Sequence, residues 1–439
     1  VLLRALIAAV TALAIVAGPA SAADPRRGEQ WGLEMIKGTE AWPTSTGVGA
    51  VVAVIDTGVQ ASHPDLGDRL LPGYDFVGDD PDDRTDDDED PRDGDGHGTH
   101  VTGIAVANAD NGVGIAGVAP GAKVLPIRVL DDNGEGFADD TIKAIQYAIE
   151  KDVHVINLSL GDYLPLQSAL FGDPAYADVL ERAVQKGIVV VLAAGNNGLP
   201  RCENPQVEGI VCVGAVDPRG QRSAFSSFGQ DVDLMAPGGS ALGGSSEDVL
   251  STYKGSAYAS IAGTSQAAPH VAGVAALLVS LGVRGGDAVA RIVQTAADPG
   301  QPGTDGQYGA GIVDAAAAVD GLGAPPPPDP GDPTPAPPAA TGSFTMAKSV
   351  RARAVRRRGF RVACKAARPG TCLVKAYYRG KKIAAGRSDV PAEIATTAAA
   401  RLNPRGKRRL TGLRRRIRVR VTVRLPGEAT RSRKITVKR

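Results

Sequence analysis

The stretch Val51-Val52-Ala53-Val54-Ile55-Asp56-Thr57-Gly58 decides the architecture. Five apolar residues run without a polar break and then stop at a carboxylate, a hydroxyl and a glycine. An uninterrupted run of Val and Ile is what a strand buried on both faces requires. Similar short runs follow at 124–130, 153–160, 188–194, 210–216 and 232–235, with helix-like patterns at 138–150 and 176–186 between them. Strands alternating with helices predict an α/β unit, a parallel sheet sandwiched by helices.

The chain has 439 residues, which suggests roughly two to four domains. Hydrophobic residues make up 43% and charged residues 22%, so a real core can form and wholesale disorder is excluded. The net charge of +1 conceals a split. Residues 341–439 hold 30 Lys+Arg against 3 Asp+Glu, while the preceding 340 residues hold 19 against 45. Two units of opposite sign are expected to do different work. Between them lies GLGAPPPPDPGDPTPAPPAATG, residues 321–342. This is a Pro-rich, extended spacer. The expected organisation is therefore an α/β unit at 28–320, a linker at 321–342 and a small basic β domain at 343–439. That last expectation rests on alternation such as Arg418-Val419-Arg420-Val421-Thr422-Val423-Arg424, which reads as half-buried strands.

Residues 1–23 read as a cleaved signal peptide. Arg4 precedes an apolar run from 6 to 17, and Ala20-Ser21-Ala22 fits an A-x-A cleavage site. The run is shorter than the ~20 residues of a membrane span. A secreted protein follows, and with it disulfides for the local cysteine pairs Cys202/Cys212 and Cys364/Cys372. The alternative is four buried thiols.

Three Gly-flanked clusters carry the chemistry. Asp56 ends its strand, where sites form in open α/β sheets. His97 lies in Asp95-Gly96-His97-Gly98-Thr99-His100, and Ser265 in Gly263-Thr264-Ser265-Gln266-Ala267-Ala268-Pro269-His270 at the opening of an apolar helix. A serine hydroxyl is a weak nucleophile until an imidazole takes its proton, and the imidazole needs a carboxylate to orient it. A fourth cluster, Ala193-Ala194-Gly195-Asn196-Asn197-Gly198, ends another strand with an amide that can donate to an oxyanion.

Together these residues resemble the subtilisin-like serine proteases, the subtilases, over about residues 28–320. The order Asp, His, Ser is the order of subtilisin. The resemblance implies Asp56, His97 and Ser265 as the catalytic triad and Asn196 as the oxyanion residue. Ser159, Leu160 and Gly161 resemble the strand that pairs with extended substrate, and Ala193, Ala194 and Gly195 would wall the pocket. Tyr308-Gly309-Ala310-Gly311-Ile312-Val313-Asp314 resembles the lead into the family's last helix. The sequence departs from the family ahead of Gln30-Trp31-Gly32-Leu33, which resembles a mature start. Only a few residues separate it from Ala23, where family members usually carry a propeptide.

The same resemblance implies structural Ca²⁺. Asp65 and Asn111 would give side chains and Ala109, Val113 and Ile115 carbonyls. A second loop would use Asp75 and Asp80, within a stretch (75–95) of twelve acids and two arginines that otherwise reads as a solvated acidic loop. His63, His100, His154 and His270 are expected to be structural. The expected activity is secreted serine endopeptidase action on protein or peptide substrates. The rival is a catalytically idle cell-surface or polyanion-binding protein on the same scaffold. A lipase is disfavoured because no G-x-S-x-G elbow surrounds Ser265. The basic domain suggests an anionic cell-wall or surface polymer as partner, and export argues against nucleic acid.

Overall fold

The computed structural model describes residues 23–77, 89–160, 174–202, 207–242, 246–300, 303–323, 343–346, 349–365, 370–378, 381–390, 396–411, 416–424 and 430–438. The expected signal peptide and all but the first three residues of the Pro-rich linker lie outside them.

The first unit is built on seven strands: β1 (Val51–Asp56), β2 (Tyr74–Asp75), β3 (Lys123–Arg128), β4 (Val155–Leu158), β5 (Val189–Ala193), β6 (Ile210–Val216) and β7 (Leu234–Pro237). They lie in the order β2-β3-β1-β4-β5-β6-β7, every neighbouring pair parallel. Each expected run holds a strand, displaced by at most two residues at either end. Its helices are α1 (Trp31–Met35), α2 (Gly38–Ala41), α3 (His97–Val106), α4 (Ala138–Glu150), α5 (Pro174–Gln185), α6 (Thr264–Ser280), α7 (Gly285–Gln294) and α8 (Ala315–Val319).

Successive residues of one strand enter different cores, as the two-residue period of a strand dictates. Val52 and Val54 of β1, and Val189, Val191 and Ala193 of β5, pack with Ala267, Val271 and Val274 of α6. Ala53 and Ile55, and Val190 and Leu192, pack on the other side with Ile145 of α4 and Val179 and Leu180 of α5. Each fully buried aliphatic side chain stabilises by roughly 1.5–3 kcal/mol. This double burial explains the absence of polar alternation in the sequence.

Two more strands, β8 (Val249–Tyr253) and β9 (Ala257–Ile261), form an antiparallel hairpin that the sequence reading did not anticipate. The hairpin is laid along α3. His100 donates through Nε2 to the Val249 and Ala259 carbonyls, both at 3.1 Å. Ser251 Oγ and Thr252 Oγ1 donate back to the His100 and Thr99 carbonyls, each at 2.7 Å.

The C-terminal unit has eight strands: β10 (Ser343–Thr345), β11 (Ser349–Arg351), β12 (Phe360–Lys365), β13 (Gly370–Tyr378), β14 (Lys381–Val390), β15 (Thr396–Leu402), β16 (Ile417–Arg424) and β17 (Thr430–Lys438). They form one half-barrel-like sheet in the order β10-β12-β15-β14-β13-β16-β17-β11, antiparallel except where β11 meets β17. Helices α9 (Ala352–Arg358) and α10 (Pro404–Thr411) complete the unit. Its core takes mainly alternate residues, such as Val374 and Ala376 of β13, Val419, Val421 and Val423 of β16, and Ile435 and Val437 of β17; Ile383 and Ala384 of β14 enter it in succession where the register shifts. Cys202–Cys212 and Cys364–Cys372 are both disulfides. No helix among the described residues is long and apolar enough to cross a membrane.

Candidate active site

Asp56 sits at the carboxyl end of β1 and is completely buried. Its Oδ1 accepts from His97 Nδ1 at 2.8 Å and from the Thr57 N–H at 2.7 Å. His97 begins α3 and keeps 26% of its side chain exposed. The helix can come this close to β1 because residue 98 is glycine. A Cβ there would stand 2.2 Å from the Gly58 carbonyl oxygen. Burial disfavours the imidazolium, but the charge and hydrogen bond of Asp56, joined by Asp95 and Asp93, outweigh it and push the His97 pKa up to about 8.

Asp93 ties the two residues together. It is buried, and desolvation raises its pKa. Oδ1 accepts from Thr57 Oγ1 at 2.9 Å and from the Asp95 and Gly96 N–H groups at 3.1 and 2.7 Å. Oδ2 accepts from the Thr99 N–H at 2.9 Å and Thr99 Oγ1 at 2.6 Å. Thr57 Oγ1 in turn accepts from the Gly98 N–H at 2.8 Å. Thus the strand end after Asp56 and the first turn of α3 share one buried carboxylate. The sequence reading missed Asp93, although an acid four residues before His97 was a visible signal.

Ser265 is the second residue of α6 and is 8% exposed. Its position depends on Pro269, which lies inside the helix and lacks the N–H that would bond the Ser265 carbonyl. That carbonyl accepts from Ser159 Oγ at 2.8 Å instead. Reciprocally, Ser265 Oγ donates to the Ser159 carbonyl at 3.2 Å. Asn157 Nδ2 holds Ser159 Oγ at 2.9 Å. Among the described residues there is no hydrogen bond between His97 and Ser265. As a nucleophile, the hydroxyl would have to turn from Ser159 to the imidazole, and such hydrogen bonds are often long or misaligned before substrate binds.

Asn196 follows β5 and faces the same helix start. Its Oδ1 accepts from the Thr264 N–H at 2.8 Å and from Thr264 Oγ1 at 3.0 Å. This assigns Nδ2 as the donating end of the amide. Thr264 Oγ1 also accepts from the Gly195 N–H at 3.1 Å. Thr264 was not singled out from sequence, though a hydroxyl directly before Ser265 was there to be noticed. Ser159 and Leu160 are buried at the end of β4, and Ala193 and Ala194 at the end of β5. Gly195 takes φ +107°, open to glycine but costly for other residues. Gly161 lies outside the described residues.

The other histidines are held by backbone. Burial, with the His97 charge, lowers the pKa of His100 to about 3, and burial lowers that of His270 to about 4. His63 accepts from the Asp65 N–H at 3.2 Å and His154 from the Val51 N–H at 3.1 Å.

Of the residues expected to bind calcium, Asp65 is fully buried and lies beside Asn111. Asp65 accepts from Asn111 Nδ2 at 2.8 Å, the Ile115 N–H at 3.0 Å and the Tyr258 hydroxyl at 2.9 Å. Asn111 Oδ1 accepts from the Val113 N–H at 2.8 Å. Asp24, which the sequence reading did not assign, joins them by accepting from the Asp110 and Asn111 N–H groups at 2.8 and 2.9 Å. Two buried carboxylates, an amide and loop carbonyls are the oxygen-rich set a hard cation takes. Asn111 would turn its amide over to offer its oxygen. Among the described residues, no three His, Cys, Asp or Glu side chains are grouped to hold a metal by themselves. Asp75 is engaged by Arg128 at 2.8 Å and the Val77 N–H at 2.7 Å. Asp80 lies outside the described residues.

The chain has relatives among known proteins. The profile described as the Subtilase family matches residues 47–311. A thermophilic serine proteinase of Bacillus sp. (strain AK1) is 42% identical over 289 residues, covering 64% of this chain and 65% of that protein. Thermitase of Thermoactinomyces vulgaris is 40% identical over 291 residues, covering 66% of this chain and 95% of the enzyme. Among solved structures, a Pseudoalteromonas arctica protease superposes with a TM-score of 0.60 at 36% identity, covering 68% of this chain and 98% of its own. With its parallel sheet, and with Asp56, His97 and Ser265 carried on β1, α3 and α6, the chain belongs to the subtilase family of serine endopeptidases.

Proposed function

We propose that the protein is a secreted endopeptidase that hydrolyses peptide bonds through an acyl-enzyme on Ser265. Substrate lies extended beside the end of β4. The His97 imidazole takes the Ser265 proton as the oxygen attacks the scissile carbonyl. Asp56 fixes the tautomer by accepting from Nδ1–H, which leaves Nε2 as the base. Asn196 Nδ2 and the Ser265 N–H donate to the tetrahedral oxyanion. The imidazolium then protonates the leaving amine, and water completes hydrolysis. The observation that carries this reading is the 2.8 Å bond between His97 Nδ1 and the buried Asp56.

Ser265→Ala is expected to abolish casein hydrolysis and labelling by a serine-directed phosphonate. Activity that persists in the pure variant rejects the mechanism. A wild-type protein that leaves casein intact favours the idle-scaffold alternative.

Calcium belongs to the same proposal as a structural ion held by Asp65, Asn111 and the 109–115 loop. Removing it with a chelator should lower Tm, and an unchanged Tm rejects the site. The chain is proposed to be organised as signal peptide, peptidase, linker and basic sheet, with export removing residues 1–23.

A further inference from the structure

Outward positions of the C-terminal sheet form a basic face. β13, β14, β15 and β16 pair so that Arg401, Ala385, Lys375 and Thr422 stand opposite one another in a row across four strands. Arg387 stands opposite Leu373, two residues along β13 from Lys375. Arg420 stands opposite Tyr377, two residues along in the other direction, and Arg418 follows it on β16. Arg361 extends the face on β12 through its pairing with Ala399. Arg361, Lys375, Arg387, Arg401 and Arg418 are exposed, while Val362, Val374, Ala376, Leu402 and Val419, beside them in the chain, are buried.

Acids are scarce on this face: register places Asp389 on it, two residues along β14 from Arg387. None of those five forms an ion pair among the described residues. Residues 341–439 contain only three acids, Asp389, Glu393 and Glu428. Like charges gathered on one sheet face repel one another and lower stability. An anion seated on the face removes that cost.

Strand spacing of ~4.8 Å and a two-residue repeat of ~6.7 Å set the cations roughly 7–10 Å apart. They continue across several strands, which suits an extended chain of charges better than one small anion. Leu373, at 38%, is the one large apolar side chain strongly exposed among the described residues of this unit, so a membrane-inserting wedge is missing. Tyr377 is the one aromatic residue at a described position on the face, so a platform for stacked bases is missing too.

We propose that this face binds a linear, base-free phosphate polymer that runs across strands β12, β15, β14, β13 and β16. The site is separate from the peptidase residues and goes beyond the proteolytic reading. Long-chain inorganic polyphosphate and poly(glycerol phosphate) are titrated onto the full chain at about 0.15 M salt. Binding of both marks phosphate charge as the determinant, and binding of one identifies the source.

Combining Lys375→Glu, Arg401→Glu and Arg418→Glu should weaken binding about 100-fold and leave casein turnover unchanged. The matched control Arg353→Glu, Arg357→Glu and Arg358→Glu, on α9, should weaken it less than about tenfold. The corresponding Gln variants of the face provide a milder series should the reversals fail to fold. An equal loss from the α9 control, no binding of either polymer, or tighter binding of an oligothymidylate of equal charge overturns the proposal.

Discussion

In the parallel sheet, neighbouring residues of a strand enter two different cores. Along most of the C-terminal sheet, one residue enters a core and the next faces outward. Both obey the same two-residue period, yet they leave different surfaces for function. A sheet covered on both faces has only its strand ends to offer, and there Asp56, Ser159 and Asn196 are found. A sheet covered on one face offers a broad surface, and there the arginines and lysines collect. The charge follows the same division, with acids predominating before residue 341 and bases after it.

The strongest way to break this comparison is at the strand ends. Ser265→Ala should lower kcat on the order of 10⁶-fold, a magnitude taken from subtilisin rather than derived from this geometry. Single-turnover kinetics with an ester substrate would check it. Asn196→Ala should lower kcat by about 10²–10³-fold with little change in KM, again on the subtilisin scale. A change confined to KM would remove Asn196 from the oxyanion role.

The pH dependence is smaller and has a definite sign. The base role proposed for His97 needs the neutral ring, and its pKa is pushed up to about 8. kcat/KM should therefore rise about tenfold per pH unit below that value and level off above it. Stability moves the opposite way. The Asp56–imidazolium pair contributes fully below the ordinary histidine pKa of about 6.5, and that contribution is lost as pH rises through about 8. Paired pH profiles of kcat/KM and Tm would test both directions.

A substitution in the other sheet should leave turnover alone. Val421→Asp places a charge in the core of β16 and should destabilise that sheet by about 3 kcal/mol or more. Turnover of a small peptide should stay within about twofold of wild type. A large loss of kcat would mean that the two sheets are energetically joined. The smallest expected effect is at Cys202–Cys212, which closes a sequence separation of 10 residues. Its double Ser variant should lose about 3 kcal/mol by loop entropy, with unchanged chemistry. Denaturant melts would measure it.

The strands were legible because the signal is local. Valine and isoleucine in unbroken runs need only their own neighbours to be read. The hairpin β8–β9 was not legible, because its value lies in covering α3 through His100, some 150 residues earlier in the chain. The candidate chemistry was visible as four short motifs. Their mutual support was hidden, since Ser159 and Ser265 exchange hydrogen bonds across 106 positions and Asn196 is oriented by Thr264 across 68. Asp75 shows the converse case. It reads as one acid of an acidic loop until Arg128 is found beside it.

Sequence by itself determined the period of each strand, the charge of each unit and the residue types gathered at each glycine-rich turn, because these depend on short-range sterics and composition. The tertiary structure decided which turns meet. It set Asp93 between Thr57 and Thr99, turned the Ser265 hydroxyl toward Ser159, and aligned Arg401 with Lys375 across β14. Hydrogen bonds between distant segments have directions that only the packed sheet and helices fix, and no local pattern encodes them.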